Sequence, residues 1–147
     1  MADKILMLIQ GALLLICAIQ DIFKKRVLLW LICIGAVMTC VCLPFIDRLS
    51  VVDCLGGLSI GLVTMLISKM TAGKIGMGDG ILLCVTGMGL GFWNNLELFG
   101  MALFLAAVLS IFLLILRRVD RKKSIPFIPF LFAGYLIIVF ASKGTLV

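Results

Sequence analysis

The chain has 147 residues, of which 64% are hydrophobic and 14% charged, and its formal net charge is +6. Soluble domains average about 45–50% apolar and about 25% charged residues, so this composition excludes an ordinary soluble domain, a disordered chain and a coiled coil. The sequence contains no histidine, which excludes histidine-dependent catalytic triads and histidine metal sites.

Six apolar segments follow one another along the chain and predict an all-α fold, a polytopic bundle of six transmembrane helices. A spanning helix needs about 20 mostly apolar residues, so six of them occupy nearly all of the single domain, residues 1–147. The first and fourth segments reach full length only by including neighbouring polar residues, among them Asp21 and Asp79. The predicted spans are residues 5–23, 27–46, 51–68, 79–95, 96–116 and 126–142.

The distribution of lysine and arginine predicts the orientation of these helices. With the N-terminus outside, ten basic residues fall in inner loops and three in outer segments, which agrees with the positive-inside rule. We therefore expect both termini outside, and the same distribution explains the net charge without a nucleic-acid partner. The inner basic residues are Lys24, Lys25, Arg26, Lys69, Lys74, Arg117, Arg118, Arg121, Lys122 and Lys123.

Glycines spaced four residues apart occur in the third span, at Gly57 and Gly61, and in the fourth, at Gly87 and Gly91. Small residues at this spacing let helices approach closely in a bilayer, so the pattern predicts tight packing and no activity. The six cysteines lie in or beside apolar runs without a CxxC pair. We expect them to pack as small hydrophobic side chains, and we predict no metal site and no cofactor.

Asp21 and Asp79 are two acidic residues that the apolar pattern places at the same membrane boundary. Asp21 ends the first span and Asp79 begins the fourth, so an even number of crossings separates them. Either acid alone could be a snorkelling side chain or an ion-pair partner of Lys24 or Lys25. Two carboxylates held close together can share a proton, so that one activates water and the other hydrogen-bonds an amide carbonyl. The pattern allows this contact without requiring it.

Four glycines lie in the segment 73–80, which has the sequence GKIGMGDG. Glycine permits positive φ and close backbone approach, and non-helical backbone at membrane depth is tolerated where it lines a cavity. Two interpretations are open. Gly76, Gly78 and Gly80 could form an active-site loop against which an extended substrate lies, or the loop could be flexible, with Asp79 capping the next helix.

Three motifs together resemble those of the type IV prepilin peptidases, which are membrane aspartic proteases. The sequence GMGD at 76–79 resembles the GxGD signature of that family, at the start of a fourth span. The sequence IPFIPFL at 125–131 resembles the segment that opens the last span, and DIFKKRV at 21–27 resembles the aspartate and basic stretch after the first. The chain departs from the family's motifs at two places. Leu28 and Leu29 stand where the family usually has Pro-Asn, and Ile81 stands where it often has a lysine, two positions after the GxGD aspartate.

The resemblance implies an aspartic endopeptidase in which Asp21 and Asp79 are catalytic and no cofactor takes part. Its substrate would be a prepilin or pseudopilin, with a short basic leader before an apolar helix, cut at the cytoplasmic face of a prokaryotic inner membrane rich in anionic lipids. The chain is similar to short Flp/Tad-type members that lack a cytoplasmic insertion with paired CxxC motifs, so no N-methyltransferase activity is expected. The residues expected to contact the substrate or the membrane surface are Lys24, Lys25, Pro126 and Pro129.

Two other classes of protein fit parts of this pattern. Intramembrane carboxylates and glycine-interrupted spans also occur in small transporters and channels, although here both acids are predicted at one face and no inverted repeat is visible. The departures from the family motifs would fit a catalytically degenerate membrane assembly protein. Loss of prepilin processing after substitution of either aspartate would separate the peptidase from both alternatives.

Overall fold

The structure, a computed structural model, describes residues 2–24, 29–45, 49–71, 76–116 and 126–143. It contains the helices α1 (Ala2–Lys24), α2 (Leu29–Cys42), α3 (Val51–Met70), α4 (Met77–Ile115) and α5 (Ile128–Lys143), and a 3-10 turn at Leu43–Phe45 that extends α2. No strand occurs among these described residues. The prediction of an all-α fold is confirmed for this part of the chain.

Three helical segments are long and apolar enough to cross a membrane, namely Lys4–Phe23, Val51–Met70 and Met77–Ile115. The apolar helices Leu29–Phe45 and Ile128–Ala141 are shorter. Many large side chains on these helices point outward, including Leu8, Leu66 and Phe104. An apolar surface of this extent is typical of a protein surrounded by lipid, which supports the prediction of a membrane protein.

The chain reverses direction inside α4, at Gly91. This residue has φ 79° and ψ 178°, a backbone conformation that is strained for any L-residue with a Cβ. Beyond it, Nδ2 of Asn95 donates to the carbonyl oxygen of Leu83 at 3.1 Å, whereas twelve residues of straight helix would separate the two levels by about 18 Å. We therefore describe α4 as a hairpin with a first arm, residues 77–90, and a second arm, residues 92–115.

The turn at Gly91 lies within the fourth predicted span, residues 79–95, and not at the predicted boundary between residues 95 and 96. The difference has a physical reason. Hydropathy places a turn where polar residues interrupt an apolar run, whereas the structure turns where a glycine can adopt the backbone angles that reversal requires. The polar residue Asn95 consequently belongs to the helical interior and is fully buried.

Glycines on α3 and on the first arm of α4 bring these two helices into backbone contact. A Cβ on Gly57 would overlap the backbone of Gly87, and a Cβ on Gly87 would overlap the carbonyl group of Gly57. One turn along, a Cβ on Gly61 would lie 2.7 Å from the carbonyl oxygen of Gly80. The close packing predicted from the glycine spacing is confirmed at Gly57, Gly61 and Gly87, while Gly91 forms the turn.

Helix α1 packs against α2, against the first arm of α4 and against α5. Its inward face buries Leu14 and Cys17 together with Leu82 of the first arm. Near the other end of α1, the hydroxyl group of Tyr135 in α5 donates to the carbonyl oxygen of Met7 at 2.7 Å. This packing positions the end of α1, the start of α4 and the start of α5 relative to one another.

All six cysteines lie within the described residues and are free thiols. Cys17 is fully buried in the core cluster, where it packs as a small apolar side chain. Cys33 and Cys40 are exposed on the apolar surface of α2. The position of Cys17 agrees with the prediction that the cysteines pack as small hydrophobic side chains, whereas Cys33 and Cys40 face outward.

Candidate active site

Asp21 lies in the last turn of α1, with its carboxylate directed into the bundle. The residue is only 8% exposed. Its Oδ2 accepts a hydrogen bond from the backbone N–H of Ile128 at 3.2 Å. Ile128 is the first residue of α5, and such N–H groups have no partner within their own helix. A carboxylate from α1 therefore caps the N-terminus of α5, where the helix dipole also favours negative charge.

Two prolines shape the chain where α5 begins. Proline lacks an N–H and has a fixed φ, so Pro126 before the helix and Pro129 in its first turn suit a helix start. The carbonyl oxygen of Phe127 accepts hydrogen bonds from the N–H groups of Phe130 at 3.0 Å and Leu131 at 3.3 Å. Both prolines are half-buried. The structure thus gives them a role at the start of α5, and their contact with a substrate stays a prediction.

Asp79 occupies the first turn of α4. Its N–H donates to the carbonyl oxygen of Gly76, the N-cap residue, at 3.2 Å. A Cβ on Gly76 would lie 2.9 Å from Oδ2 of Asp79, so the carboxylate lies back over the start of its own helix. The side chain is half-buried. Its position in the first turn also agrees with the alternative interpretation of Asp79 as an acid that stabilises a helix N-terminus.

The carboxylates of Asp21 and Asp79 lie within range of mutual electrostatic repulsion. Their helices are antiparallel, because Nε2 of Gln10, earlier on α1, donates to the carbonyl oxygen of Thr86, later on the first arm, at 3.4 Å. Both acids therefore lie at the same end of the bundle, where the parity of the predicted crossings had allowed them to meet. Negative charge on one of these groups therefore disfavours negative charge on the other.

The three glycines predicted to form an active-site loop have different structural roles. Gly76 is non-helical, with φ −61° and ψ 122°. Gly78 and Gly80 already lie within α4, so the loop assignment is replaced by helix at these two positions. Gly80 is buried, and a Cβ there would lie 2.5 Å from Cγ of Met65 in α3. Its missing side chain therefore serves helix packing beside Asp79.

The two lysines predicted to contact the substrate or the membrane surface lie where the described part of α1 ends. Lys24 ends α1, three residues after Asp21. The side chain of Lys24 and the whole of Lys25 lie outside the described residues, so their contacts with a substrate or the membrane stay predictions. Within the described ranges, no group of three or more cysteine or acidic side chains could hold a metal ion.

A cluster of polar side chains lies deeper in the bundle and was not anticipated from the sequence. The amide nitrogen of Asn95 donates to the carbonyl oxygens of Gly57 and Leu83, each at 3.1 Å, and the hydroxyl of Thr86 donates to its Oδ1 at 2.9 Å. Gln10, Thr86 and Asn95 are all fully buried. The sequence did contain a signal for this cluster, because these polar residues lie inside apolar runs. A polar side chain that is buried there needs hydrogen-bond partners within the protein.

No family model matches the chain, and neither a curated protein nor a solved structure matches it. The fold and the site define an apolar helical protein with two acidic side chains brought together at one end of the bundle. Any functional conclusion therefore depends on the chemistry of this pair and on the sequence motifs around it.

Proposed function

We propose that this protein is a membrane aspartic endopeptidase that removes the short basic leader from prepilin-like precursors. The observation that carries the proposal is that α1 and α4, helices far apart in the sequence, place Asp21 and Asp79 at the same end of the bundle, close enough for their charges to interact. The motifs that resemble those of type IV prepilin peptidases support the class of substrate. One of them, at residues 125–131, begins the helix whose N-terminus contacts Asp21.

Two carboxyl groups that share one proton can hydrolyse an amide without a metal or a covalent intermediate. The ionised carboxylate removes a proton from water as the water oxygen attacks the carbonyl carbon. The protonated carboxyl group hydrogen-bonds the carbonyl oxygen and transfers its proton to it. When the tetrahedral intermediate collapses, the C–N bond breaks and the departing nitrogen takes the proton that the first carboxylate removed from water. One hydroxyl group of the intermediate returns a proton to the second carboxylate as the new carbonyl forms, so the pair again holds one proton.

The unequal arms of α4 support a site that a membrane-embedded substrate can reach. The first arm, residues 77–90, rises about 21 Å, whereas the second arm, residues 92–115, rises about 36 Å. A hydrocarbon core is about 30 Å thick, so a second arm that crosses it leaves the start of the first arm below the membrane surface. Non-helical backbone at that depth is tolerated where it lines a cavity. The junction between a leader and an apolar helix would lie at a similar depth.

The proposal includes the orientation expected from the basic residues. Six crossings with both termini outside put Asp21 and Asp79 at the cytoplasmic face of a prokaryotic inner membrane. Anionic lipids of the inner leaflet would attract the basic segments that follow Asp21, including Lys24 and Lys25. A substrate helix would approach laterally through the bilayer, and its leader would lie over the aspartate pair.

Asparagine substitution of each aspartate tests the proposal. Asp21→Asn and Asp79→Asn are each expected to abolish processing of a co-expressed prepilin, read as the loss of the shorter product on a gel. Asp53→Asn is the matched control. Asp53 lies in the first turn of α3 beside Gly91, at the opposite end of the bundle, and this variant is expected to process normally. Full processing by either of the first two variants, at equal membrane levels, would refute a catalytic pair.

A further inference from the structure

We propose that the N-terminus of α5 makes Asp21 the ionised member of the pair, so that Asp21 activates the water and Asp79 carries the proton. This assignment of roles rests on the proposed function. It starts from the buried hydrogen bond between Oδ2 of Asp21 and the N–H of Ile128, two groups 107 residues apart in the chain.

The physical reason is that this contact favours the charged form of one carboxylate only. A backbone N–H donates, and an ionised carboxylate is a stronger acceptor than a protonated one. The dipole of α5 adds a partial positive charge at the same point. Asp79 also lies in the first turn of a helix, but that helix is its own, whereas Asp21 receives its hydrogen bond from the first N–H of a different helix.

The other groups that face Asp21 act in the opposite sense. Asp79 approaches it from the first arm of α4, and Cys17 lies one turn earlier on α1. Negative charge on either would repel a charge on Asp21. Helix α2 contributes no acidic or basic side chain, and α5 contributes the peptide N–H of Ile128. Among the described contacts, this hydrogen bond therefore favours negative charge on Asp21.

A proline substitution removes the donor with little change to the backbone. Ile128→Pro deletes the N–H at the first helical position, where proline is well accepted. Ile128→Ala is the matched control, because it retains the N–H while removing most of the same fully buried side chain. The two variants are compared by the pH dependence of cleavage of a prepilin by the purified full chain, and not by their absolute rates.

The acidic limb of the pH–activity profile is expected to move upward by about one pH unit in Ile128→Pro, because a charge-assisted hydrogen bond to the base has been lost. The limb of Ile128→Ala is expected to coincide with that of the wild type. An unmoved limb in Ile128→Pro, or an equal movement in both variants, would overturn the assignment while leaving the peptidase proposal in place.

A second measurement needs no catalytic activity. Asp79→Asn leaves Asp21 as the single carboxyl group of the pair, and Asp21→Asn leaves Asp79. The infrared band of the protonated carboxyl group is followed against pH in each variant, with the double variant subtracted. The band is expected to disappear at a lower pH in Asp79→Asn, which retains Asp21, than in Asp21→Asn, which retains Asp79. The same midpoint for both groups, or the reverse order, contradicts the proposal whether or not the protein cleaves a prepilin.

Discussion

The backbones of Gly57 in α3 and Gly87 in α4 meet with no side chain between them. This contact fixes the register of the two helices, and two turns towards the start of α4 the same register brings Gly80 against Met65. Asp79 directly precedes Gly80, so the height of the carboxylate in the bundle depends on this series of glycines. The glycines have no reactive side chain, but their packing determines where the carboxylate of Asp79 lies.

Gly57→Ala is expected to destabilise the protein, because the new methyl group would overlap the backbone of Gly87. The overlap can be relieved only if α3 and the first arm of α4 move apart. Overpacking of this kind costs about 1–3 kcal/mol. The measurement is the midpoint of thermal unfolding of the purified protein in detergent. Gly100→Ala is the matched control, because a Cβ there meets no atom within 4 Å. The control is expected to stabilise the helix by up to about 1 kcal/mol, and an equal loss of stability in both variants would argue against the glycine contact.

The position of the aspartate pair could be anticipated in part because membrane crossings alternate. Any two points separated by an even number of crossings lie on the same side, whatever the details of packing, and this placed Asp21 and Asp79 at one end. The glycine spacing predicted the contact of α3 with α4 for a similarly general reason, since small residues four apart form a continuous strip on a helix. Neither argument depends on the conformation of a loop.

Other features had no side-chain signature that could be recognised in the sequence. The N–H of Ile128 is a backbone donor that every residue except proline possesses, and its role depends on where α5 begins. The turn at Gly91 was missed because its neighbours are apolar, whereas the predicted boundary follows the polar residue Asn95, which the structure buries. The turn therefore lies four residues before the predicted boundary, and Asn95 is buried inside the bundle.

Asn95→Ala is expected to lower stability by about 1–3 kcal/mol, because it removes a buried amide that joins α3 to both arms of α4. The variant leaves the hydroxyl of Thr86 without its acceptor on Asn95. Asn94→Ala is the control, since Asn94 is half-buried and, among the described residues, its amide donates to the carbonyl oxygen of Leu90 within its own helical hairpin, at 3.1 Å. Unfolding midpoints in detergent are compared. If the two variants unfold alike, the three-way contact of Asn95 does not stabilise the fold.

Gly91→Ala is expected to destabilise the turn between the arms of α4. At φ 79° and ψ 178°, a residue with a Cβ is strained by about 1–3 kcal/mol. The new methyl group would also lie 3.1 Å from Cδ2 of Leu49. Replacement by a D-alanine residue in a semisynthetic protein relieves the backbone strain, because D-residues favour positive φ. Recovery of the unfolding midpoint with D-alanine, and not with L-alanine, would assign the loss to backbone conformation.

Gly76→Ala is expected to reduce activity with little effect on folding. A Cβ at this N-cap position would press against Oδ2 of Asp79, at 2.9 Å, and displace the carboxylate. The residue is exposed and non-helical, so the change in stability should stay within about 1 kcal/mol. Because a misplacement of about 1 Å in a catalytic group can cost a factor of about 100, we expect at least a tenfold lower rate of prepilin cleavage. The unfolding midpoint is measured on the same preparation, so that lost activity can be separated from lost structure. A variant that cleaves at the wild-type rate would mean that the carboxylate of Asp79 does not need the space that Gly76 leaves open.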